Sequence, residues 1–180
     1  MTRKTRLLLL ILILLNCNFS WGWNSTTSVG VPATKVNLTK LNLSQILKSA
    51  NKGVPTAQAN LGACYLYGYG VKKDFNLAYS WLIKAANQNL PIAQFNIGIM
   101  YLNGYGIPLN YNNAATWFYK AAAKGIPEAQ LNLGILYATG KGVKQNKRLA
   151  EYWFNRASKL GDAKIKNCAS QALTILHKHH

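Results

Sequence analysis

Three stretches of this chain superimpose at a spacing of 36 residues without a gap, and that period constrains the fold more than any other feature. The first reads GVPTAQANLGACYLYGYGVKKDFNLAYSWLIKAA from Gly53. The second, from Asn89, reads NLPIAQFNIGIMYLNGYGIPLNYNNAATWFYKAA, and the third, from Gly125, reads GIPEAQLNLGILYATGKGVKQNKRLAEYWFNRAS. Ala57, Gln58, Asn60, Gly62, Tyr65 and Trp81 of the first copy return as Ala93, Gln94, Asn96, Gly98, Tyr101 and Trp117, then as Ala129, Gln130, Asn132, Gly134, Tyr137 and Trp153. A unit of this length holds one supersecondary motif that cannot bury its own apolar face, so the copies must stack.

Each copy encodes two helices. Pro55, Pro91 and Pro127 fall where a first helical position belongs, because the fixed ring torsion suits it and the missing N–H costs nothing there. Ala57, Leu61 and Tyr65 recur at four-residue steps and predict one apolar face. Glycine pairs then break the chain at Gly68 and Gly70, Gly104 and Gly106, and Gly140 and Gly142. Asp74, Asn110 and Asn146 follow as N-caps of a second helix, with Ala78, Trp81 and Ala85 on the buried face of its first copy. Gly53, Asn89, Gly125 and Gly161 lie just past each second helix, where a left-handed cap is expected.

A mid-helix glycine costs about 1 kcal/mol relative to alanine, so Gly62, Gly98 and Gly134 need a reason. Close helix crossing supplies one, with the tryptophans expected to fill the space beyond. Shifting the register back one period places Leu41, Gln45 and Ala50 over Leu77, Trp81 and Ala86, which makes 41–52 a lone second helix at the front. Residues 161–180 read as a first helix, with Asp162 as its cap, followed by a basic tail. The expected organisation is then a leader (1–22), a flexible linker (23–40) rich in Asn, Ser and Thr, a capping helix (41–52), three repeats over 53–160 (53–88, 89–124, 125–160) and a closing helix (161–180).

The leader is read from Arg3, Lys4 and Arg6, the unbroken apolar run Leu7 to Leu15, and the polar and aromatic stretch behind it. That is the layout of a secretory signal peptide with cleavage expected after Gly22, and the run is too short to span a bilayer comfortably. The chain is therefore expected to be exported, to a periplasm or to the exterior. Leu14-Leu15-Asn16-Cys17 loosely resembles a lipobox, so membrane contact would come through an uncleaved leader or through lipid on Cys17. Removing the leader lowers the formal charge from +17 to +14, against four carboxylates, Asp74, Glu128, Glu151 and Asp162. A balance this basic favours anionic partners. Only Cys64 and Cys168 would remain, too few for a disulfide framework, so stability must come from packing.

The run Ala-Gln-x-Asn-(Leu/Ile)-Gly, then Tyr, then Gly-x-Gly, then Trp before paired alanines resembles the Sel-one-like repeat, a relative of the tetratricopeptide repeat, over about Leu41 to Leu176. The resemblance implies an all-α fold, a right-handed α/α superhelical solenoid of helix-turn-helix repeats, acting as an adaptor or scaffold in the cell envelope or at host cells. One cysteine-rich branch of that family has been described as binding or hydrolysing penicillin-type compounds. Its members carry a cysteine pair in every repeat, whereas the counterparts of Cys64 here are Met100 and Leu136.

Catalysis is not expected. The repeats contain no histidine, since His177, His179 and His180 sit in the tail, and four scattered carboxylates make no pair at repeat spacing. Ser49-Ala-Asn-Lys52 fits Ser-x-x-Lys without its companion motifs, and the glycine pairs lack the Gly-Lys-(Ser/Thr) of a phosphate loop. No catalytic, cofactor-binding or metal-binding residue is assigned. The expected partner is another protein or a peptide, held on the face of the first helices by Tyr67, Phe95, Ile99, Asn103, Leu131 and Ile135, with Asn60, Asn96 and Asn132 as a ladder for its backbone. Two alternatives stay open for those residues: apolar packing between adjacent first helices, and asparagines satisfying loop or helix backbone. A second function class is an envelope module that binds an anionic glycan or lipid through the loop cations Lys72, Lys73, Lys141, Lys144, Lys147 and Arg148. Those cations lack the aromatic interleaving of a nucleic-acid binder, so nucleic acid is not expected.

Overall fold

The structure, a computed structural model, describes residues 40–177. The leader, Cys17, the linker up to residue 39, and His179 and His180 lie outside the described residues. Every element described is an α-helix: α1 (Lys40–Asn51), α2 (Pro55–Tyr67), α3 (Phe75–Asn87), α4 (Pro91–Asn103), α5 (Tyr111–Ala123), α6 (Pro127–Thr139), α7 (Lys147–Leu160) and α8 (Ala163–His177). They form two compact units, an N-terminal one ending at Lys120 and a C-terminal one beginning at Ala121, so the division falls inside α5.

In the N-terminal unit the local signals act as their chemistry dictates. Pro55 and Pro91 open α2 and α4. Gly68 and Gly104 close those helices in the left-handed region, at φ 79° and 69°, and their turns donate back to the carbonyls of Cys64 and Met100. Asp74 accepts the Leu77 amide at 2.9 Å and Asn110 accepts the Asn113 amide at 3.0 Å, capping α3 and α5. The amides of Asp74 and Asn110 in turn donate to the carbonyls of Tyr65 and Tyr101, which pins each loop to the helix before it. Gly53 and Asn89 take the expected positive φ after α1 and α3.

The core of this unit runs through Ala78, Leu82 and Ala85 of α3 and Ala93, Ile97 and Met100 of α4. Close crossing at the mid-helix glycines holds, but the side chain that fills the space is not tryptophan. A Cβ on Gly62 would stand 2.6 Å from Leu82 Cγ, and one on Gly98 2.6 Å from Phe118 Cδ1. Leu82 and Phe118 follow Trp81 and Trp117, and one residue is a rotation of about 100° around a helix. The indoles are thereby turned to other neighbours: Trp81 packs against the cluster of Ala50 of α1 with Ala57 and Leu61 of α2, and Trp117 against the cluster that holds Ala78 and Leu82 of α3 with Ala93 and Ile97 of α4.

The C-terminal unit repeats the scheme. Pro127 opens α6, Gly140 closes it at φ 72°, Asn146 caps α7, and Gly134 faces Phe154, whose Cδ1 would lie 2.7 Å from a Cβ there. Asp162 caps α8 by accepting the Ile165 amide at 2.9 Å. Gly161 departs from expectation: it is extended (φ −72°, ψ 164°) and not left-handed. Here α7 runs on through Leu160 and the chain enters α8 directly through the Asp162 cap, so no reversal of φ is needed. Glycine serves contact instead, because a Cβ would collide with Ile165.

Candidate partner-binding face

Several residues expected to face a partner are interior. Phe95 is 0% exposed and lies 5.9 Å from the Phe118 ring, and Ile99 is 8% exposed. Leu131 is 4% exposed and, with the half-buried Ile135, packs on Ile165, Cys168, Ala169 and Ala172 of α8. Ala59 likewise belongs to the cluster of Ala93 and Ile97. The reason is geometric. A first helix in a stack has its own second helix on one side, where Phe95 meets Phe118, and the next first helix on another, where Leu131 and Ile135 meet α8, so two faces are buried.

The asparagines divide in the same way. Asn96 is buried and its Oδ1 accepts the Tyr67 hydroxyl at 3.3 Å, linking α2 to α4. Asn132 is buried and donates to the Glu128 carbonyl of its own helix at 2.8 Å. Asn103 is exposed and donates to the Ile99 carbonyl, while Asn60 is half-buried. A continuous amide ladder is therefore not what the three positions build. Two of the three spend a hydrogen-bonding group on the fold itself, as buried polar side chains must.

What the N-terminal unit does present is a group of tyrosines at the loop end of the first helices. Tyr67 lies 5.6 Å from Tyr69, and Tyr105 stacks on Phe75 at 4.9 Å with planes 8° apart. Burial first, then the neighbouring Tyr69 and Tyr105, push the Tyr67 phenol well above its usual range, so the three hydroxyls share one neighbourhood. Tyr69 is 53% and Tyr105 37% exposed. These two were absent from the sequence reading, although the signal was there: Gly-Tyr-Gly stands in the first two loops and Gly-Lys-Gly in the third.

Of the loop cations, Lys72, Lys73, Lys144 and Arg148 are exposed, and Lys141 and Lys147 are half-buried. Lys72 and Lys73 border a shallow cleft with Tyr65, Val71, Asp74 and Leu77. The four carboxylates all have structural engagements. Asp74 and Asp162 cap helices, Glu151 lies 2.9 Å from His177 Nε2, and the Glu128 carboxyl is pushed up by burial and by Asp162. Cys64 is a free, buried thiol, which burial pushes up. Among the described residues no group of three or more His, Cys, Asp or Glu side chains is placed to hold a metal ion, and no helix is long and apolar enough to cross a membrane.

Proline-started first helices, glycine-closed turns and Asx-capped second helices, recurring at one period, define an all-α repeat protein of the helical solenoid class. The chain belongs to the Sel1 repeat family, whose model matches residues 55–90, 91–126 and 127–162. That is a fold which commonly mediates protein–protein interaction and typically serves as a scaffold. Among solved structures the chain is similar to a protective antigen of uropathogenic Escherichia coli strains displaying an SLR fold (33% identity, TM-score 0.66), with 75% of this chain and 32% of that one covered. It thus spans about a third of the length of that antigen. It is also similar to a Sel1 repeat protein from Oxalobacter formigenes (34% identity, TM-score 0.64, 72% of this chain and 98% of that one). Helicobacter pylori cysteine rich protein B shares the fold at 22% identity and a TM-score of 0.58, over 73% of this chain and 97% of that one. No curated protein matches the chain.

Proposed function

We propose that the protein is a non-catalytic interaction scaffold, exported as its leader indicates, and that it holds a segment of another protein against the tyrosine group of the N-terminal unit. The carrying observation is that the Tyr67 and Tyr69 rings lie 5.6 Å apart at the loop end of α2, that Tyr105 stacks on Phe75 at 4.9 Å in the same unit, and that Tyr69, Tyr105 and Asn103 are exposed. Tyrosine supplies large contact area with few rotatable bonds and a hydroxyl at its tip, which is why it is enriched among residues that dominate binding energy. The scaffold reading is supported by the carboxylates, which are used as caps, in a contact with histidine or as a half-buried side chain, and not as an acid–base pair. Phe95 and Leu131 are core and so do not belong to this face.

The test uses the wild-type chain and a Tyr69→Ala, Tyr105→Ala, Asn103→Ala variant as baits for affinity capture, with bound partners mapped by hydrogen exchange. The reading requires partners that protect 65–69 and 103–107 and whose affinity falls at least tenfold in the variant at unchanged Tm; two tyrosine anchors at about 1–2 kcal/mol each predict that much. Partners that bind both baits equally would end it. The alternative, an anionic envelope component on the loop cations, rests on the exposure of Lys72, Lys73, Lys144 and Arg148. It predicts capture that collapses as salt rises and that is indifferent to the tyrosine substitutions.

A further inference from the structure

The cations that repeat with the fold are not in the loops. Lys48, Lys84 and Lys120 occupy one repeat position near the ends of α1, α3 and α5, and all three are exposed. Lys84 Nζ lies 4.4 Å from the centre of the Trp81 ring and Lys120 Nζ 4.2 Å from that of Trp117. Those indoles are themselves half-buried against apolar clusters, so each of these two ammonium groups is held over a fixed ring and not left to sweep the solvent. The position one residue earlier is apolar each time: Leu47 (42% exposed), Ile83 (half-buried) and Tyr119 (55% exposed). A cationic column and an apolar column thus run side by side along the outer face of this unit.

Charge on this face is one-signed. Residues 40–120 contain seven lysines and a single carboxylate, Asp74, which is committed to capping α3. The contact of His177 with Glu151, 2.9 Å, lies in the other unit.

We propose that the outer face of α1, α3 and α5 binds the headgroup layer of an anionic phospholipid bilayer. A lysine held near such a surface contributes about 1 kcal/mol. Tryptophan and tyrosine favour the depth at which headgroups meet acyl chains, and leucine and isoleucine gain by entering it. The aliphatic members, Leu47 and Ile83, favour a bilayer over a soluble polyanion, because an acidic glycan or a nucleic acid gives an aliphatic side chain nothing to leave water for. Binding would be peripheral, with the helices lying on the surface.

Sedimentation of the full chain with vesicles tests this, comparing phosphatidylcholine alone with phosphatidylcholine and phosphatidylglycerol in equal parts. The leader is common to every variant, so ratios between variants report the helical face. Lys48→Gln, Lys84→Gln, Lys120→Gln is expected to weaken binding to the anionic vesicles about a hundredfold. Lys72→Gln, Lys73→Gln, Lys144→Gln removes the same charge from the loops and is expected to cost less than about fivefold. Leu47→Ser with Tyr119→Ser is expected to lower the binding that survives high salt. Should a triple variant melt early, the single Lys→Gln changes carry the test, each with a loss of about fivefold. Equal losses from the two triple variants, no preference for anionic vesicles, or tight binding of dextran sulfate without vesicle binding would each overturn the proposal.

Discussion

Gln94 donates from Nε2 to the carbonyl oxygen of Ala86, 3.3 Å away, across the break between α3 and α4. Gln58 does the same to Ala50 at 3.2 Å, and Gln130 to Ala122 at 3.1 Å. The glutamine that recurs at every repeat is thus a clamp, which holds one of the last carbonyls of each second helix from inside the following first helix. The three clamps are not equal. Gln58 Oε1 also accepts from Gln88 Nε2 at 2.8 Å, whereas Gln94 Oε1 and Gln130 Oε1 are buried without a partner.

That inequality sets the first prediction. Gln58→Leu breaks two hydrogen bonds and is expected to destabilise the fold by about 1–3 kcal/mol. Gln94→Leu breaks one and removes an unsatisfied acceptor, so its cost is expected to be about 1 kcal/mol or less. Urea denaturation orders the two, and the reverse order would refute the clamp account.

Gln130 lacks a donor because the repeat position that holds Gln88 in the first copy holds Leu160 in the last, and Leu160 is 55% exposed. Leu160→Gln is expected to reach Gln130 Oε1 and to stabilise by about 0.5–1.5 kcal/mol. A thermal melt checks it. In the background of Gln130→Leu the gain should vanish.

Gly98→Ala gains about 1 kcal/mol of helix propensity yet places a methyl 2.6 Å from the Phe118 ring. Phe118 is fully buried and has nowhere to retreat, so a net loss of about 1–3 kcal/mol is expected. A neutral or stabilising result in denaturant titration would show that the α4–α5 crossing has slack.

Glu128 is held above its ordinary value of 4.5 by burial first, and by Asp162. A carboxyl raised on folding stabilises the protein while protonated, below the unfolded value, and that contribution is lost as pH rises through the folded value. At neutral pH its charge is therefore a burden. Glu128→Gln is expected to raise Tm at pH 7, with the difference from wild type shrinking toward zero as pH falls below 4.5. A Tm difference independent of pH would mean that the effect is one of packing.

Much of this molecule was legible in its sequence because the signals are local. Pro55, Gly68 and Asp74 each act through the torsions and hydrogen bonds of a few neighbouring residues, and they recur at the spacing that sequence alone displays. The candidate face was less legible. Helices such as α4, with Phe95, Ile97, Ile99 and Met100 in one stretch, are apolar on nearly every side. Periodicity then cannot say which apolar side chain meets a neighbouring helix and which meets a partner.

Sequence by itself determined the repeat and the helix ends apart from the one at Gly161, since those follow from backbone preferences that need no knowledge of what lies across space. Tertiary structure alone decided that Phe118, and not Trp117, faces Gly98, that Phe95 is core, that Gln94 clamps Ala86, and that Tyr67, Tyr69 and Tyr105 share one neighbourhood. A turn of about 100° per residue separates those outcomes, and its phase relative to the neighbouring helices is set only when they pack.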